Sequence, residues 1–426
     1  MKAITAKTPP MGWNSWDCYG AAVTEADLIA NAEYMQEHLL AYGWEYITCD
    51  IQWYEPQALG NVYTPFAELC MDEFSRLMPA VNRFPSAADG SGFKHIADKI
   101  HSMGLKFGIH IMRGIPRQAV HRGGKIKGRP ELCAADIADG TSICMWNTDM
   151  YGVKADCDGA YAYYRSLFEL YAEWGVDLVK CDDIANTRFD KDRPYAAAGE
   201  IELIRRAIEE CGRPMVLSLS PGPAPIEAAE HLKQFADMWR LTDDMWDDWA
   251  LVRDMFSRCR LWQGRSARSA WCDCDMLPLG RLTKRAAYCG EKDRSCRLSR
   301  DEQRTLMTLW CIFRSPLIMG GELTECDDFT LSLLTNTELL NMQKYGSEPR
   351  EIFYDGELSV WQSECEGGIY LAMFNLGENL LNTELLPEFT RQKSPLAVYD
   401  IWQRGSADTE AVGLSPHGCI ALKIEL

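Results

Sequence analysis

The sequence predicts a barrel of eight parallel strands and eight helices, a (β/α)8 or TIM barrel, followed by a small antiparallel β-sandwich domain. The chain has 426 residues, which suits a barrel of roughly 250 or more residues with an appended domain. Short apolar runs alternate with amphipathic helical stretches, as in a parallel sheet built from βα units. Helical periodicity ends near Ser347. The predicted domains are therefore residues 1–345 and 346–426.

The eight predicted strands are short apolar runs bounded by polar or turn residues. In chain order they are Met11–Trp16, Tyr46–Asp50, Leu105–His110, Val176–Asp182, Met215–Ser220, Met238–Leu241, Ser269–Asp273 and Pro316–Met319. A long excursion, roughly residues 111–157, separates the third strand from the next helix. Eight is the strand count of a TIM barrel.

The predicted helices place apolar residues at helical spacing between these strands. Thr24 is a candidate N-cap for the first helix. The helices are Thr24–Tyr42, Gly92–Met103, Tyr161–Trp174, Glu200–Cys211, Ile226–Phe235, Trp246–Leu261, Glu302–Phe313 and, as one helix or two, Phe329–Gln343. The C-terminal domain is predicted to lack helices and to contain the β-like segments Glu357–Gln362, Gly368–Phe374, Leu396–Ile401 and Cys419–Ile424.

Composition and charge exclude several classes of partner. The net charge of −18 disfavours nucleic acid and anionic membranes. The N-terminus has no apolar signal-peptide core, and no run of about 18 apolar residues predicts a transmembrane helix. The 17 scattered cysteines are interpreted as mostly reduced, since they lack the spacing of a disulfide scaffold. We therefore expect a cytoplasmic protein, which could form a homo-oligomer.

Acidic residues recur where the predicted barrel strands end. Function in a TIM barrel lies at the carboxyl ends of the strands, so these side chains are expected to project towards one mouth, although each could instead cap a helix. They are Asp17, Asp50, Asp182, Asp183, Asp243, Asp244, Asp273 and Asp275.

A mouth lined with carboxylates suits either a metal ion or carbohydrate chemistry. Only seven histidines are present, without an HExxH motif, and Cys272–Asp275 has no second Cys/His pair, so we predict no metal. No phosphate-binding loop or Gly-x-Ser-x-Gly elbow occurs, and no cofactor is expected. Glycoside hydrolysis needs two carboxyl groups across the bond. Candidate aromatic platforms for a sugar are Trp13, Trp16, Trp53, Tyr54, Trp239 and Trp271.

Six segments, in order, resemble glycoside hydrolase family 27, the melibiase or α-galactosidase family. The similarity covers about residues 8–345, with a small β domain after it. The segments are Pro9–Gly20 (PPMGWNSWDCYG), Gly104–His110 (GLKFGIH), Leu178–Asp182 (LVKCD), Trp239–Trp249 (WRLTDDMWDDW), Trp271–Met276 (WCDCDM) and Arg314–Gly321 (RSPLIMGG).

The resemblance implies a retaining exo-glycosidase that acts on a small glycoside or oligosaccharide. Asp182 would be the nucleophile, and Asp244 the acid/base. Lys180 and Arg240 would hold ring hydroxyls and keep Asp182 ionised, whereas burial near Asp182 is expected to keep Asp244 protonated. Other positions that match sugar contacts are Trp16, Asp50, His110, Asp275 and Met276.

Ile51 departs from the family pattern, because α-galactosidases of the family commonly carry two adjacent aspartates after the second strand. The second aspartate is expected to bind the exocyclic hydroxymethyl group of galactose. An isoleucine cannot accept that hydrogen bond, which is worth about 1.5–3 kcal/mol, or roughly ten- to hundredfold in discrimination. β-L-arabinopyranose is galactose without this group, so Ile51 favours β-L-arabinopyranosidase activity.

Ser220 is a second departure, since many α-galactosidases have a glutamate at the matching position. A smaller residue leaves room for a 2-acetamido group, as in the α-N-acetylgalactosaminidases of the family. Ile184 stands where a cysteine often forms a disulfide beside the nucleophile, which fits a reduced protein.

α-Galactosidase activity is the first interpretation, because the wider family favours it, and β-L-arabinopyranosidase activity is the alternative. α-N-acetylgalactosaminidase activity ranks lower. A non-hydrolytic sugar-binding barrel remains open, although it would not need to retain both Asp182 and Asp244. A metal-dependent hydrolase predicts loss of activity with a chelator, which the glycosidase interpretation does not.

Overall fold

Eight parallel strands form the core of the N-terminal part. The computed structural model describes residues 3–187, 192–287, 290–390, 397–407 and 412–426. The core strands are β1 (Met11–Asn14), β2 (Tyr46–Cys49), β3 (Lys106–Met112), β4 (Leu178–Asp182), β5 (Val216–Leu219), β6 (Met238–Arg240), β7 (Trp271–Asp273) and β8 (Leu317–Met319). All eight predicted strands are present.

The strands are hydrogen-bonded in the order β7-β6-β5-β4-β3-β2-β1-β8. β1 pairs in parallel with both β2 and β8, through Gly12–Tyr46 and Met11–Leu317. Beyond β7, the Leu277 amide donates to the Ile318 carbonyl at 2.7 Å, and Leu277 forms a parallel bridge with Met319. This bridge joins the two ends of the sheet, so the predicted TIM barrel is confirmed.

Side chains from neighbouring strands fill the barrel interior. They form a buried apolar cluster that includes Tyr46, Leu178, Val216, Met238, Trp271, Met276 and Ile318. Such layers of bulky side chains make the inside of a TIM barrel a packed core, not a channel. Polar chemistry is therefore confined to the end of the barrel where the strands terminate.

Helices surround the barrel: α1 (Glu25–His38), α2 (Lys94–Ser102), α3 (Asp158–Trp174), α4 (Ala198–Glu210), α5 (Ala229–Phe235), α6 (Trp249–Trp262), α7 (Arg300–Phe313), α8 (Asp328–Leu334) and α9 (Thr337–Tyr345). Thr24 caps α1 in a capping box with Asp27, as the sequence predicts. α6 begins three residues later than predicted, because Asp248 accepts a hydrogen bond from the Ala250 amide at 2.8 Å and so caps the helix.

The first strand is shorter than predicted. Asn14 Oδ1 accepts a hydrogen bond from the Trp16 amide at 2.9 Å, and this local bond turns the chain away from the sheet. Trp16–Tyr19 then forms one short helical turn. The turn places the Trp16 side chain at the mouth of the barrel.

Two insertions follow β2 and β3 at the mouth. Residues 52–84 contain only isolated bridges, Leu59–Val62 and Met71–Leu77. The excursion predicted for residues 111–157 is structured, with a small antiparallel sheet of Ile115–Pro116, Ala138–Ile143 and Met150–Val153, a hairpin of Lys125–Ile126 and Arg129–Cys133, and the short helices Arg117–Arg122 and Ala134–Ile137.

The C-terminal part contains two antiparallel sheets. Their strands are β9 (Ser347–Tyr354), β10 (Leu358–Cys365), β11 (Gly368–Asn375), β12 (Leu381–Thr383), β13 (Ala397–Asp400), β14 (Gly405–Ser406), β15 (Val412–Leu414) and β16 (Cys419–Glu425). One sheet has the strand order β9-β10-β11-β16-β13-β14, and β12 pairs with β15 in the other. One face contacts the barrel helices, where Phe374 meets Phe256 with ring centroids 4.9 Å apart.

The C-terminal part contains strands that the sequence analysis did not identify. They are the edge strand β9, in which no residue is buried, and the strands β12, β14 and β15 of two or three residues each. Pro387–Thr390 forms a short helix in a domain predicted to lack helices, since one buried turn around Phe389 has too little periodicity to identify. The predicted strand Leu396–Ile401 corresponds to β13, and residue 396 lies outside the described residues.

In the part of the chain that the structure describes, no helix combines the length and apolarity needed to cross a membrane. Each described cysteine is free, and eight of these cysteines are buried. The buried ones pack as small apolar side chains.

Candidate active site

A cleft of about 390 Å³ opens at the carboxyl ends of the barrel strands. Six of the residues predicted to act at a sugar site line it: Trp16, Asp50, Ile51, Lys180, Asp182 and Asp244. The lining also includes Asn61, Tyr63, Trp146, Pro221, Asp243 and Trp246. The charged residues come from the ends of β2 and β4 and from the loop after β6, because parallel strands deliver their carboxyl ends to one face.

Asp50 and Lys180 form a buried ion pair on one wall. Lys180 Nζ donates to Asp50 Oδ2 at 2.8 Å, and Asn14 Nδ2 donates to the same oxygen at 2.7 Å. Burial raises the pKa of Asp50, but the charges of Lys180 and His110 outweigh it, so the net pKa lies well below its ordinary value. The pair therefore presents a fixed carboxylate and ammonium to the cleft.

Asp182 is held by two donors. Its Oδ2 lies 3.1 Å from His110 Nε2, and its Oδ1 accepts from the Asp183 amide at 2.9 Å. Burial raises the pKa of Asp182, but the hydrogen bond from His110 and the charges of His110 and Lys180 lower it further than burial raises it. The net pKa lies below the ordinary value, so Asp182 is a carboxylate at neutral pH, as a nucleophile requires.

Replacing Lys180 with methionine is expected to move the acid limb of the kcat/KM pH profile upwards by about one unit or more. Activity that depends on ionised Asp182 is lost as the pH falls through the pKa of that group, and Lys180 helps to hold this pKa down. The measurement is kcat/KM between pH 3 and 7. Lys180→Arg is the control, because it keeps the positive charge. An unchanged acid limb in Lys180→Met would show that Lys180 does not lower the pKa of Asp182.

Arg240 connects Asp244 with Asp275. Its NH2 group lies 3.1 Å from Asp244 Oδ1 and 2.8 Å from Asp275 Oδ2. The Asp244 side chain is 58% exposed, whereas those of Arg240 and Asp275 are each 3% exposed. The expectation that Asp244 is buried near Asp182 is therefore wrong, because the loop after β6 carries it to the open side of the cleft.

Asp275 is the second carboxyl group that forms an ion pair with Arg240, and it is more deeply buried than Asp244. Burial raises the pKa of Asp275 to about 7, against the opposing charge of Arg240. Its Oδ2 also accepts from the Met245 amide at 2.7 Å, which fixes the loop that carries Asp244. In this structure Asp275 supports the opposite wall and does not line the open cleft.

Four predicted sugar contacts form a layer under the cleft. Ser220, Arg240, Asp275 and Met276 line a small cavity of about 30 Å³ together with Lys180. Ser220 Oγ is buried and has no hydrogen-bond partner among the described residues. Three other strand-end aspartates, Asp17, Asp183 and Asp273, are buried and lie outside the cleft lining. The expectation that every strand-end aspartate projects towards the mouth is therefore wrong.

An aromatic wall that the sequence did not predict closes one side of the cleft. Tyr63 stacks on Trp16, with centroids 6.2 Å apart and planes 16° apart, and Trp146 packs on Tyr63 at 5.8 Å. Tyr63 and Trp146 come from the two insertions. These segments have no regular strand pattern from which the side of the barrel that a side chain faces could be predicted. The other predicted platforms, Trp13, Trp53, Tyr54, Trp239 and Trp271, are buried core residues instead.

The carboxylates of this site are already bonded to cations and N–H donors. Among the described residues, no group of three or more His, Cys, Asp or Glu side chains is arranged to hold a metal ion. Asp50 is bonded to Lys180 and Asp182 to His110. The donors around these carboxylates are cations and N–H groups, which compete with a metal for the same oxygens.

A TIM barrel whose mouth carries paired carboxylates, an ammonium and an aromatic wall has the groups that glycoside hydrolysis requires. The sequence matches the family described as "Alpha galactosidase A" over residues 127–344. It also matches the "Alpha galactosidase C-terminal beta sandwich domain" over residues 355–424. The chain belongs to glycoside hydrolase family 27, the melibiase family, as the sequence motifs predict.

Solved structures and curated proteins resemble the chain over nearly its whole length. A family 27 β-L-arabinopyranosidase from Geobacillus stearothermophilus is 52% identical with a TM-score of 0.95, covering 99% of this chain and 97% of that one. A protein from Bacillus halodurans C-125, provisionally described as an α-N-acetylgalactosaminidase, is 47% identical with a TM-score of 0.88, covering 100% and 99%. An α-galactosidase from Cellvibrio japonicus is 25% identical, covering 93% and 83%.

Proposed function

We propose that this hydrolase is a retaining exo-glycosidase that removes terminal β-L-arabinopyranosyl residues, with α-D-galactosyl residues as a weaker substrate. The observation that carries the proposal is Ile51, which is buried and lines the cleft beside Asp50, Lys180 and Asp182. An apolar side chain at this point offers nothing to a hydroxymethyl group. It suits the bare C5 methylene of a pentopyranose.

The main chain of Ile51 is bonded to the neighbouring carboxylate. The Ile51 amide donates to Asp50 Oδ1 at 2.8 Å, so the two consecutive residues at the end of β2 are tied together. Asp50 is in turn held by Lys180 and Asn14. The apolar group therefore has a fixed position relative to the polar groups that would bind the ring hydroxyls. The 52% identity to an arabinopyranosidase supports this preference.

The proposed reaction is a double displacement. The Asp182 carboxylate attacks the anomeric carbon while Asp244 donates a proton to the leaving oxygen, so that one C–O bond forms as the glycosidic C–O bond breaks. Asp244 then takes a proton from a water molecule, whose oxygen displaces Asp182 from the same carbon. Two inversions retain the anomeric configuration.

Side chains around the two carboxyl groups support these roles. His110 and the Asp183 amide fix both oxygens of Asp182, so the nucleophile is oriented before substrate arrives. Arg240 holds Asp244, whose exposure gives it access to the leaving group and to water. Asp50 and Lys180 are placed to bind neighbouring ring hydroxyls.

α-Galactosidase activity is the second candidate, because the family profile and many relatives carry that name. Galactose has the same ring stereochemistry, and the cleft of about 390 Å³ leaves space for its additional group. An acetamido group is less favoured. The cavity at Ser220 is small, about 30 Å³, and lies among buried side chains, so it offers little room for an acetamido group.

Hydrolysis of p-nitrophenyl β-L-arabinopyranoside is expected to be about tenfold or more faster in kcat/KM than that of p-nitrophenyl α-D-galactopyranoside. The Ile51→Asp variant should move the ratio towards the galactoside by ten- to hundredfold, since it supplies an acceptor worth about 1.5–3 kcal/mol. Ile51→Asn is the matched control for size without charge. A galactoside preference in the native chain would show that other groups hold the hydroxymethyl, and would favour the α-galactosidase alternative.

A further inference from the structure

The turn that follows the proposed nucleophile has an unusual backbone. Asp183 lies in the left-handed region, with φ of 55°, which residues other than glycine adopt uncommonly. The Asp183 amide donates to Asp182 Oδ1 at 2.9 Å, so the position of this strained residue also decides where that donor lies. Such a conformation persists only where surrounding contacts hold it.

Arg113, at the end of β3, makes three contacts to this turn. Its main-chain amide donates to the Asp182 carbonyl at 3.0 Å, and its Nε donates to the Asp183 carbonyl at 2.5 Å. Its NH2 group lies 2.9 Å from Asp183 Oδ2. One side chain therefore anchors both the backbone and the carboxylate of the residue after the nucleophile.

A second buried carboxylate holds Arg113 from behind. Arg113 NH1 lies 3.1 Å from Glu200 Oε1, in the first turn of α4, and the Tyr164 hydroxyl donates to Glu200 Oε2. Tyr164 also accepts from the Gly114 amide at 2.9 Å. The side chains of Arg113, Asp183 and Glu200 are only 2%, 3% and 6% exposed.

Burying charges is costly even when they are paired, so well-packed apolar side chains would stabilise the fold about as well as this ionic network does. Burial raises the pKa of Asp183 to about 7, against the opposing charge of Arg113. A costly ionic network directly behind the nucleophile is better explained by the geometry that it imposes. The titratable groups that face Asp183 are Arg113, Asp182, Glu200 and, more distantly, Cys144.

We infer that Asp183 and Arg113 are positioning residues for Asp182, which hold the Asp183 amide against the nucleophile so that the carboxylate keeps one orientation. The inference rests on the proposed function. In the first step Asp182 loses its negative charge to the new bond, and in the second step the charge returns as Asp182 leaves. A fixed N–H donor keeps the Asp182 side chain in one orientation during both steps, and it stabilises the charge that returns when Asp182 leaves.

The test compares Asp183→Ala with Asp183→Asn. Alanine is strained at positive φ and cannot accept from Arg113, whereas asparagine tolerates this conformation and keeps an acceptor oxygen. Asp183→Ala is expected to lower kcat by about ten- to hundredfold with little change in KM. The variant should also shift the acid limb of the kcat/KM pH profile to higher pH, because the hydrogen bond from the residue 183 amide to the charged form of Asp182 becomes weaker. Asp183→Asn should stay within about threefold of the native kcat.

A purely structural role for Asp183 predicts a lower Tm with unchanged kcat and acid limb per folded enzyme, and that result overturns the inference. An equal loss of kcat in Asp183→Asn and Asp183→Ala overturns the inference as well, because the acceptor oxygen that Arg113 contacts would then have no effect on catalysis. If Asp183→Ala does not fold, Asp183→Gly replaces it, because glycine accepts positive φ yet lacks the anchor; its kcat should fall. Absence of hydrolysis by the native chain overturns the proposed function and this inference together.

Discussion

Replacing Asp182 with asparagine is expected to lower kcat by at least about 10⁴-fold for either aryl glycoside, because an amide cannot form the covalent intermediate. The change keeps the size of the side chain, and its single oxygen can still accept from one of the two donors that hold Asp182, His110 or the Asp183 amide. Initial rates with p-nitrophenyl glycosides measure the effect. Because the native carboxylate is ionised, the loss is expected throughout neutral pH.

Asp183→Asn is the matched control for this experiment, since it makes the same chemical change one residue along the chain. It is expected to retain most of the native activity. Azide added to Asp182→Ala should restore turnover by forming a carbon–nitrogen bond from the vacated face, with inverted configuration in the glycosyl azide product. Residual activity of more than a few per cent in Asp182→Asn, without contaminating native enzyme, contradicts the assignment of Asp182.

Replacing Asp244 with alanine is expected to slow hydrolysis by about 10²–10⁴-fold when the leaving group is poor, such as the hydroxyl group of a second sugar. The first step with a dinitrophenyl leaving group should be nearly unaffected, because that group departs without a proton. The second step loses its general base, so the glycosyl-enzyme should accumulate and produce a burst of dinitrophenolate. Stopped-flow absorbance measures the burst.

Asp243→Ala is the control for Asp244, because Asp243 is an adjacent exposed aspartate that lines the same cleft. It is expected to show neither leaving-group dependence nor a burst. Equal losses in kcat/KM, which reports the first step, for good and poor leaving groups in Asp244→Ala would show that Asp244 does not protonate the leaving oxygen. Asp275 would then be the group to test, since it shares Arg240 with Asp244.

The strand-end residues of the site were predictable because their position follows from local periodicity. Asp50, Ile51 and Asp182 stand at or just after the ends of apolar strands, and all parallel strands of a barrel end on the same face. The departure at Ile51 could be recognised for the same reason, since it directly follows Asp50. Their grouping in one cleft needed no information on long-range contacts.

The exposure of Asp244 and the layer beneath the cleft were not predictable in this way. Asp244 lies four residues beyond the end of β6, on a loop whose path is set by the hydrogen bond from the Met245 amide to Asp275. Ser220 and Met276 face a small inner cavity instead of the open cleft. Sequence spacing does not show at which depth in the barrel such side chains lie.

The sequence by itself determined the barrel, the C-terminal β domain and the carboxylates at the strand ends, because hydrophobic periodicity reports local geometry. Only the tertiary structure decided which residues complete the site. Tyr63 and Trp146 come from separate insertions that meet over Trp16. Arg113 reaches Asp183 across 70 residues, because β3 and β4 are neighbours in the sheet. Contacts of this kind depend on how the whole chain closes, which no local pattern encodes.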